Sequence, residues 1–414
     1  MQRLDSRASS TPEEVPTNMA NNAATMTAET DTIGPAVLAD DPVRPSWLTA
    51  LHDLRNAPKR SVRSYLQQLP EPAPDAPEAP LIETDTAPGF SALNQMIVGR
   101  GPIAAMDVDP RDGLIYVANS ADDSVAILDP AQLAVITTVT GTEEPFSLAV
   151  INGRACVSTV NGSHDAVAVI DRAAEEAVTH PLAMSVRDIA GSPDGRYVYA
   201  ARTGRTGADI AVIDTATGHV VSIDLRTRAG ANAEAIAVSA DGSRAYVVTA
   251  DHLGGEFIAI DTETRRVVGG LAFPAPLRDV AVGPDGTIYV AGCEPDGIID
   301  VVDARTLRVI DTIEIGGTLT QLVISAAGDR LYVVNGDRVL VLCAATYEIV
   351  DTITVVAEPS CVAESADGKR LFIADYSGGV TALTVASTTG SLLAKMTASD
   401  VLDVAMLELE STPV

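Results

Sequence analysis

The sequence runs to 414 residues with a formal net charge of −28, from 28 Lys and Arg against 56 Asp and Glu. That sign argues against general binding along a nucleic-acid backbone, while 46% hydrophobic residues leave ample material for a large core. Four widely spaced cysteines (Cys156, Cys293, Cys343, Cys361) form no CxxC pair, so they read as buried free thiols and not as a zinc or disulfide framework.

Residues 1–88 hold 12 of the 24 prolines, including PEPAPDAPEAP at 70–80, and lack sustained alternation of apolar and polar positions. This composition predicts a disordered arm with a polyproline-like linker. Its first residues, MQRLDSRASSTPEEV, contain no apolar signal core, and no later stretch approaches ~18 uninterrupted apolar residues. The expectation is a soluble, cytoplasmic protein with no transmembrane segment. Within the arm, Trp47, Leu48, Leu51 and Leu54 share one helical stripe and Val62, Tyr65, Leu66 and Leu69 another, with Pro58 between them. Two short amphipathic helices over 45–69 are therefore predicted. The five basic residues against one acidic residue in 44–69 suit contact with a partner, with a membrane surface, or with the acidic body of the same chain.

From residue 89 the chain repeats itself. Tyr116, Cys156, Tyr199, Tyr246, Tyr289, Tyr332 and Phe372 occupy one column, spaced by 40, 43, 47, 43, 43 and 40 residues. Seven units of this length, each with four short β-branched stretches separated by turns, predict an all-β fold: a seven-bladed β-propeller of four-stranded antiparallel blades over 89–400. In the unit that starts near 277, LRDVAVG is strand A, TIYVAG strand B, GIIDVVD strand C and LRVIDTIEI strand D. Asp-Gly turns recur at 194–195, 241–242, 285–286 and 367–368, where glycine adopts positive φ without a Cβ clash. Strand C ends in Asp129, Asp171, Asp214, Asp261 and Asp303, each leading into a turn whose backbone N–H groups a carboxylate can accept. The second unit departs from the column at Cys156 and Ser158, which leaves its register the least secure. The segment NQMIVGRGP at 94–102 reads like a strand D without a blade of its own, and is expected to complete blade seven. The tail at 401–414 either competes for that edge as an extra strand or lies across it.

The recurring YVAN, YVVT, YVAG and YVVN at 116, 246, 289 and 332, with SPDG at 192 and VIDTAT at 212, resemble the YVTN-repeat β-propeller family over about 89–400. The chain also resembles seven-bladed propeller proteins of mycobacteria, which suits its 25 Arg against three Lys. The resemblance implies the propeller fold. It also raises two functions found on similar propellers: lactone hydrolysis at the channel mouth, and an accessory role beside a redox enzyme.

Motifs for chemistry are sparse. The five histidines (His52, His164, His180, His219, His252) form no HExxH, and neither a GxSxG elbow nor a P-loop occurs. Gly99-Arg100-Gly101-Pro102-Ile103-Ala104 matches a dinucleotide fingerprint but lies between strands and opens no helix. Asp107, Asp109 and Asp112 resemble a calcium loop with the wrong spacing, and Ala118 stands where a bidentate Glu is required. No catalytic residue, metal ligand or cofactor is therefore assigned.

Topology still locates a candidate site. In a four-stranded meander the B–C and D–A loops share one face, and those of units two to four are the longest. Arg202, Arg205, His164 and His252 fall on the B–C loops, Arg226 and Arg228 on a long D–A loop, and Arg187 and Arg278 at the start of two strands A. The reading is a non-enzymatic binding or scaffold propeller that offers these residues to a small anionic ligand or an acidic protein partner, since a guanidinium fork matches a carboxylate or phosphate.

Overall fold

In the computed structural model the described residues are 89–386, apart from 161–163, 173–175, 183–184, 293–296 and 356. Among them 28 strands, β1 to β28, form seven antiparallel four-stranded sheets. Blade one is β2 to β5 (103–140), blade two β6 to β9 (148–182), blade three β10 to β13 (185–224) and blade four β14 to β17 (232–273). Blade five is β18 to β21 (277–314) and blade six β22 to β25 (319–354); blade seven joins β26 to β28 (359–385) with β1 (Phe90–Ile97). The first strand of each blade packs against the first strands of both neighbours, and β2 meets β26, so the ring is closed.

Closure depends on β1. It pairs with β28 (Gly379–Val385) from Phe90 opposite Val385 to Ile97 opposite Gly379, and thereby supplies the outer strand of blade seven. The expected strap is present and starts at Phe90, four residues before the stretch singled out in the sequence. Gly101, just beyond it, passes so close to the neighbouring loop that an added Cβ would lie 2.2 Å from the Tyr376 carbonyl oxygen, which accounts for one glycine of the false dinucleotide match.

The turns follow the predicted chemistry. At each Asp-Gly turn the carboxylate accepts the N–H two residues on: Asp194 from Arg196, Asp241 from Ser243, Asp285 from Thr287 and Asp367 from Lys369, all at 2.9–3.1 Å. Hydrogen bonds from Ser239 and Ser243 hold the Asp241 carboxyl down to about 2. At the ends of strand C, Asp129, Asp214, Asp261 and Asp303 likewise accept N–H groups from the turns that follow them. Asp171 faces Arg154 at 3.5 Å. The look-alike calcium carboxylates point to different partners. Asp107 accepts from the Val150 N–H, Asp109 from the Arg111 N–H, and Asp112 from the Leu114 N–H and the Arg172 guanidinium.

The core is divided among the seven gaps between blades. The strand-B aromatic of one blade packs against the next: Tyr116 between blades one and two, Tyr199 between three and four, Tyr246 between four and five, Tyr289 between five and six, Tyr332 between six and seven, and Phe372 between seven and one. All six are at most 3% exposed, so each ring is a full hydrophobic contribution to an inter-blade seam. Blade two keeps the same register, Cys156 opposite Val169 as Tyr199 is opposite Val212. Its departure is one of packing and turn type. Asn152 and Gly153, at φ 50° and 74°, close a tight two-residue hairpin where blades three, four and seven use a Ser-x-Asp-Gly turn.

The arm at 1–88, with its predicted helices at 45–69, lies outside the described residues, as do the tail at 401–414 and Cys293.

Candidate functional site: the mouth of the central channel

Seven strands A line the axis, and the first residues of most carry a bulge. The ladder skips Ala104, Arg187, Glu234, Arg278, Thr320 and Ser360, which turns the following residue toward the neighbouring blade. That following residue often holds the ring together. Ser147 Oγ accepts the Ile189 N–H of blade three at 3.2 Å, and Asp188 Oδ2 accepts the Ile236 N–H of blade four at 2.9 Å. Asp279 Oδ2 accepts the Leu322 N–H of blade six at 2.6 Å, and Gln321 Oε1 the Val362 N–H of blade seven at 2.8 Å. Blade four has Ala235 at this position and makes no such bond; the Val280 N–H of blade five turns to its own Asp279 Oδ1 instead. Burial pushes the Asp188 carboxyl up. It pushes Asp279 up to about 7, with the charge of Asp188 adding to the effect and Arg278 opposing it.

Five of these six bulged residues, all but Ser360, line a cavity of about 260 Å³. On its wall Arg187 of blade three and Arg278 of blade five both reach Glu234 of blade four, with Nη2 at 2.9 Å and Nη1 at 3.6 Å from the same Oε2. The three side chains are 13%, 14% and 8% exposed, so this is a mostly buried two-to-one pairing of guanidinium with carboxylate. Such a triad is stable only where the surplus positive charge finds further polar partners, and Asp188, Asp279 and Gln321 lie on the same wall. No histidine is among the residues lining this cavity.

The model of the YNCE-like β-propeller family matches residues 91–395. The chain belongs to that family. It is also 40% identical over 357 residues to the seven-bladed beta-propeller protein Rv1057 of Mycobacterium tuberculosis, a match that covers 77% of this chain and 90% of that protein. A chain of the hydrazine synthase of Kuenenia stuttgartiensis superposes with a TM-score of 0.61 at 20% identity, over 70% of this chain and 97% of that one. At that identity the likeness is one of fold alone.

Of the residues singled out in the sequence, this YNCE-like propeller brings only Arg187 and Arg278 together at the channel. Arg202 sits 6% exposed in blade three, with Nε and Nη2 on the two Asp209 oxygens at 2.7 and 2.6 Å and Ser222 Oγ at 2.8 Å. Its fork is used within its own blade. Arg228 spans to blade four, 3.0 Å from Asp251 and 3.4 Å from Glu256. Arg205, Arg226, His164 and His252 are exposed on the loops and do not line the cavity. Arg202 and Arg228 are therefore held in ion pairs with carboxylates of their own or the next blade. Sequence reasoning missed Glu234, Asp188, Asp279 and Gln321. The repeated Arg-Asp at 187–188 and 278–279 was the signal that could have found two of them.

Proposed function

We propose that this protein is a non-enzymatic binding propeller whose channel mouth takes the anionic group of a small ligand or of an acidic partner. One observation carries the reading: guanidiniums from blades three and five converge on a single carboxylate supplied by blade four. The pair is thus already arranged around an anion. An incoming carboxylate or phosphate would share or replace the Glu234 contacts, with the charge-assisted forks setting its orientation. Lactone hydrolysis and redox assistance are less well supported. Asp188 and Asp279 are engaged by backbone N–H groups across the blade seams, and the lining offers no imidazole to work with them.

The test is calorimetric titration with small di- and tricarboxylates and with phosphate esters, at low and high salt. Arg187→Ala and Arg278→Ala should each weaken binding about tenfold or more, and wild-type affinity should fall as salt rises. Binding unchanged in both variants would overturn the reading.

A further inference from the structure

The wall of the channel cavity carries two tiers of charge on the same three blades. At the bulges stand Arg187, Glu234 and Arg278, and the next residue of each strand is Asp188, Ala235 and Asp279. One residue of strand, roughly 3.3 Å of backbone, separates the tiers. Among the described residues these are the charged side chains that line the cavity, three carboxylates against two guanidiniums. With all five ionised the carboxylates are in excess. A purely anionic ligand would meet the guanidiniums and enlarge that excess, whereas a ligand that brings its own cation would not.

The deeper tier suits a cation. Asp188 and Asp279 are half-buried and flank Ala235, whose methyl group leaves the place between them without a polar side chain. Asp188 accepts from the Ser147 hydroxyl at 2.6 Å and the Ile236 N–H at 2.9 Å, and Asp279 from the Val280 and Leu322 N–H groups at 2.8 and 2.6 Å. An ionised carboxylate offers about four acceptor sites, so these bonds leave each aspartate able to accept again. Burial raises both carboxyls, and the charge of Asp188 adds to the rise at Asp279. A cation near both would offset the repulsion between them.

We propose that the channel cavity takes a small amino carboxylate as its zwitterion, with the carboxylate on Arg187 and Arg278 and the ammonium on Asp188 and Asp279. The inference rests on the reading of the mouth as an anion site, and it adds the charge that the other end of the ligand must carry. The cavity, at about 260 Å³, exceeds the roughly 150 Å³ that holds a benzene ring, so a chain of several carbons fits.

Three matched pairs of ligands test it by calorimetric titration of the full-length protein: glycine and propionate, β-alanine and butyrate, 4-aminobutyrate and pentanoate. In each pair the amino acid carries an ammonium where its isostere ends in a methyl group. The titrations are run at pH 8, above the value of about 7 to which Asp279 is raised. In the pair of best length the amino acid should bind about tenfold or more tighter than its isostere. Asp188→Asn and Asp279→Asn should each cut that ratio to about threefold or less. A ratio near one in all three wild-type pairs, or a ratio unchanged in either variant, would overturn the proposal. The wild-type comparison needs no variant, and so decides the matter even where an asparagine variant does not fold. If the isosteres bind and weaken in Arg187→Ala while the ammonium adds nothing, the anion site stands and the zwitterion falls. If no member of any pair binds, both fall.

Discussion

The seam between blades four and five and the seam between blades two and three place their strand-B column residue in the same register, and that residue is Tyr246 in one and Cys156 in the other. In the first, Tyr246 is buried and stacks on Phe257 with ring centroids 5.6 Å apart and planes 15° from parallel. In the second, Cys156 leaves a cavity open to the turn face. The propeller thus tolerates the loss of a seam ring as long as the backbone ladder and the inner hydrogen bonds remain. Ser147 shows this directly, since it joins blades two and three through the Ile189 N–H and the Asp188 carboxylate at 2.6 Å.

The strongest way to break the comparison is to remove a seam's strand and not its ring. Deleting residues 1–100 takes away β1 and Phe90, which meets Tyr332 edge-on at 6.5 Å in the seam between blades six and seven. That truncation should lose cooperative unfolding in circular dichroism and calorimetry, while deletion of 1–85 leaves the melt unchanged. Equal melting of both truncations would show that β1 is dispensable.

A smaller effect sharpens the contrast between the two seams. Tyr246→Ala should cost ~3–5 kcal/mol in denaturant unfolding, as expected for truncating a buried aromatic in a packed seam. Cys156→Ala, in a seam that already contains a cavity, should cost only ~1 kcal/mol. Similar costs at the two sites would mean that the second seam closes up in solution.

The smallest effect separates seams by pH. The link between blades five and six is the Asp279 carboxyl, raised to about 7, whereas Ser147 between blades two and three does not titrate. A carboxyl raised in the folded state binds a proton there that the unfolded chain has already released. Stability should therefore fall as pH rises from about 4 through about 7. Asp279→Asn keeps an acceptor for Leu322 and removes the charge, so it should flatten that slope by roughly 1–3 kcal/mol across the window. Ser147→Ala removes the hydroxyl that donates to the Asp188 carboxylate, so it should push that carboxyl further up and steepen the fall of stability with rising pH. Thermal melts between pH 4.5 and 8 check both.

The architecture was legible because a repeat states the same pattern seven times: the tyrosine column, the Asp-Gly turns and the orphan strand before blade one each appear where the spacing put them. The site was less legible. Arg187 and Arg278 stood out as equivalent positions, but Glu234 occupies the same bulge column with the opposite charge, and only the closed ring shows that blade four lies between blades three and five at a distance that lets one carboxylate serve both. Arg202 and Arg228 looked like donors awaiting a ligand. Asp209, Asp251 and Glu256 come to them through strand pairing and blade packing, which single-chain spacing does not reveal. Cys156 was noticed as a break in the column, yet a break in a column does not say whether register or volume will change, and here it is volume.

The outer strand of blade seven comes from the beginning of the chain, and this sets a timetable for synthesis. Phe90 pairs with Val385, so β1 leaves the ribosome long before its partner exists. At typical translation rates of roughly 5–20 residues per second, it waits about 15–60 s as an unpaired strand while six blades and three-quarters of the seventh are made. During that interval Leu93 and Ile97, still 52% and 64% exposed in the finished ring, stand on an open edge that another nascent copy could pair with. The strap that makes the ring a single closed body is therefore also the part of the chain most exposed to mispairing before the ring exists.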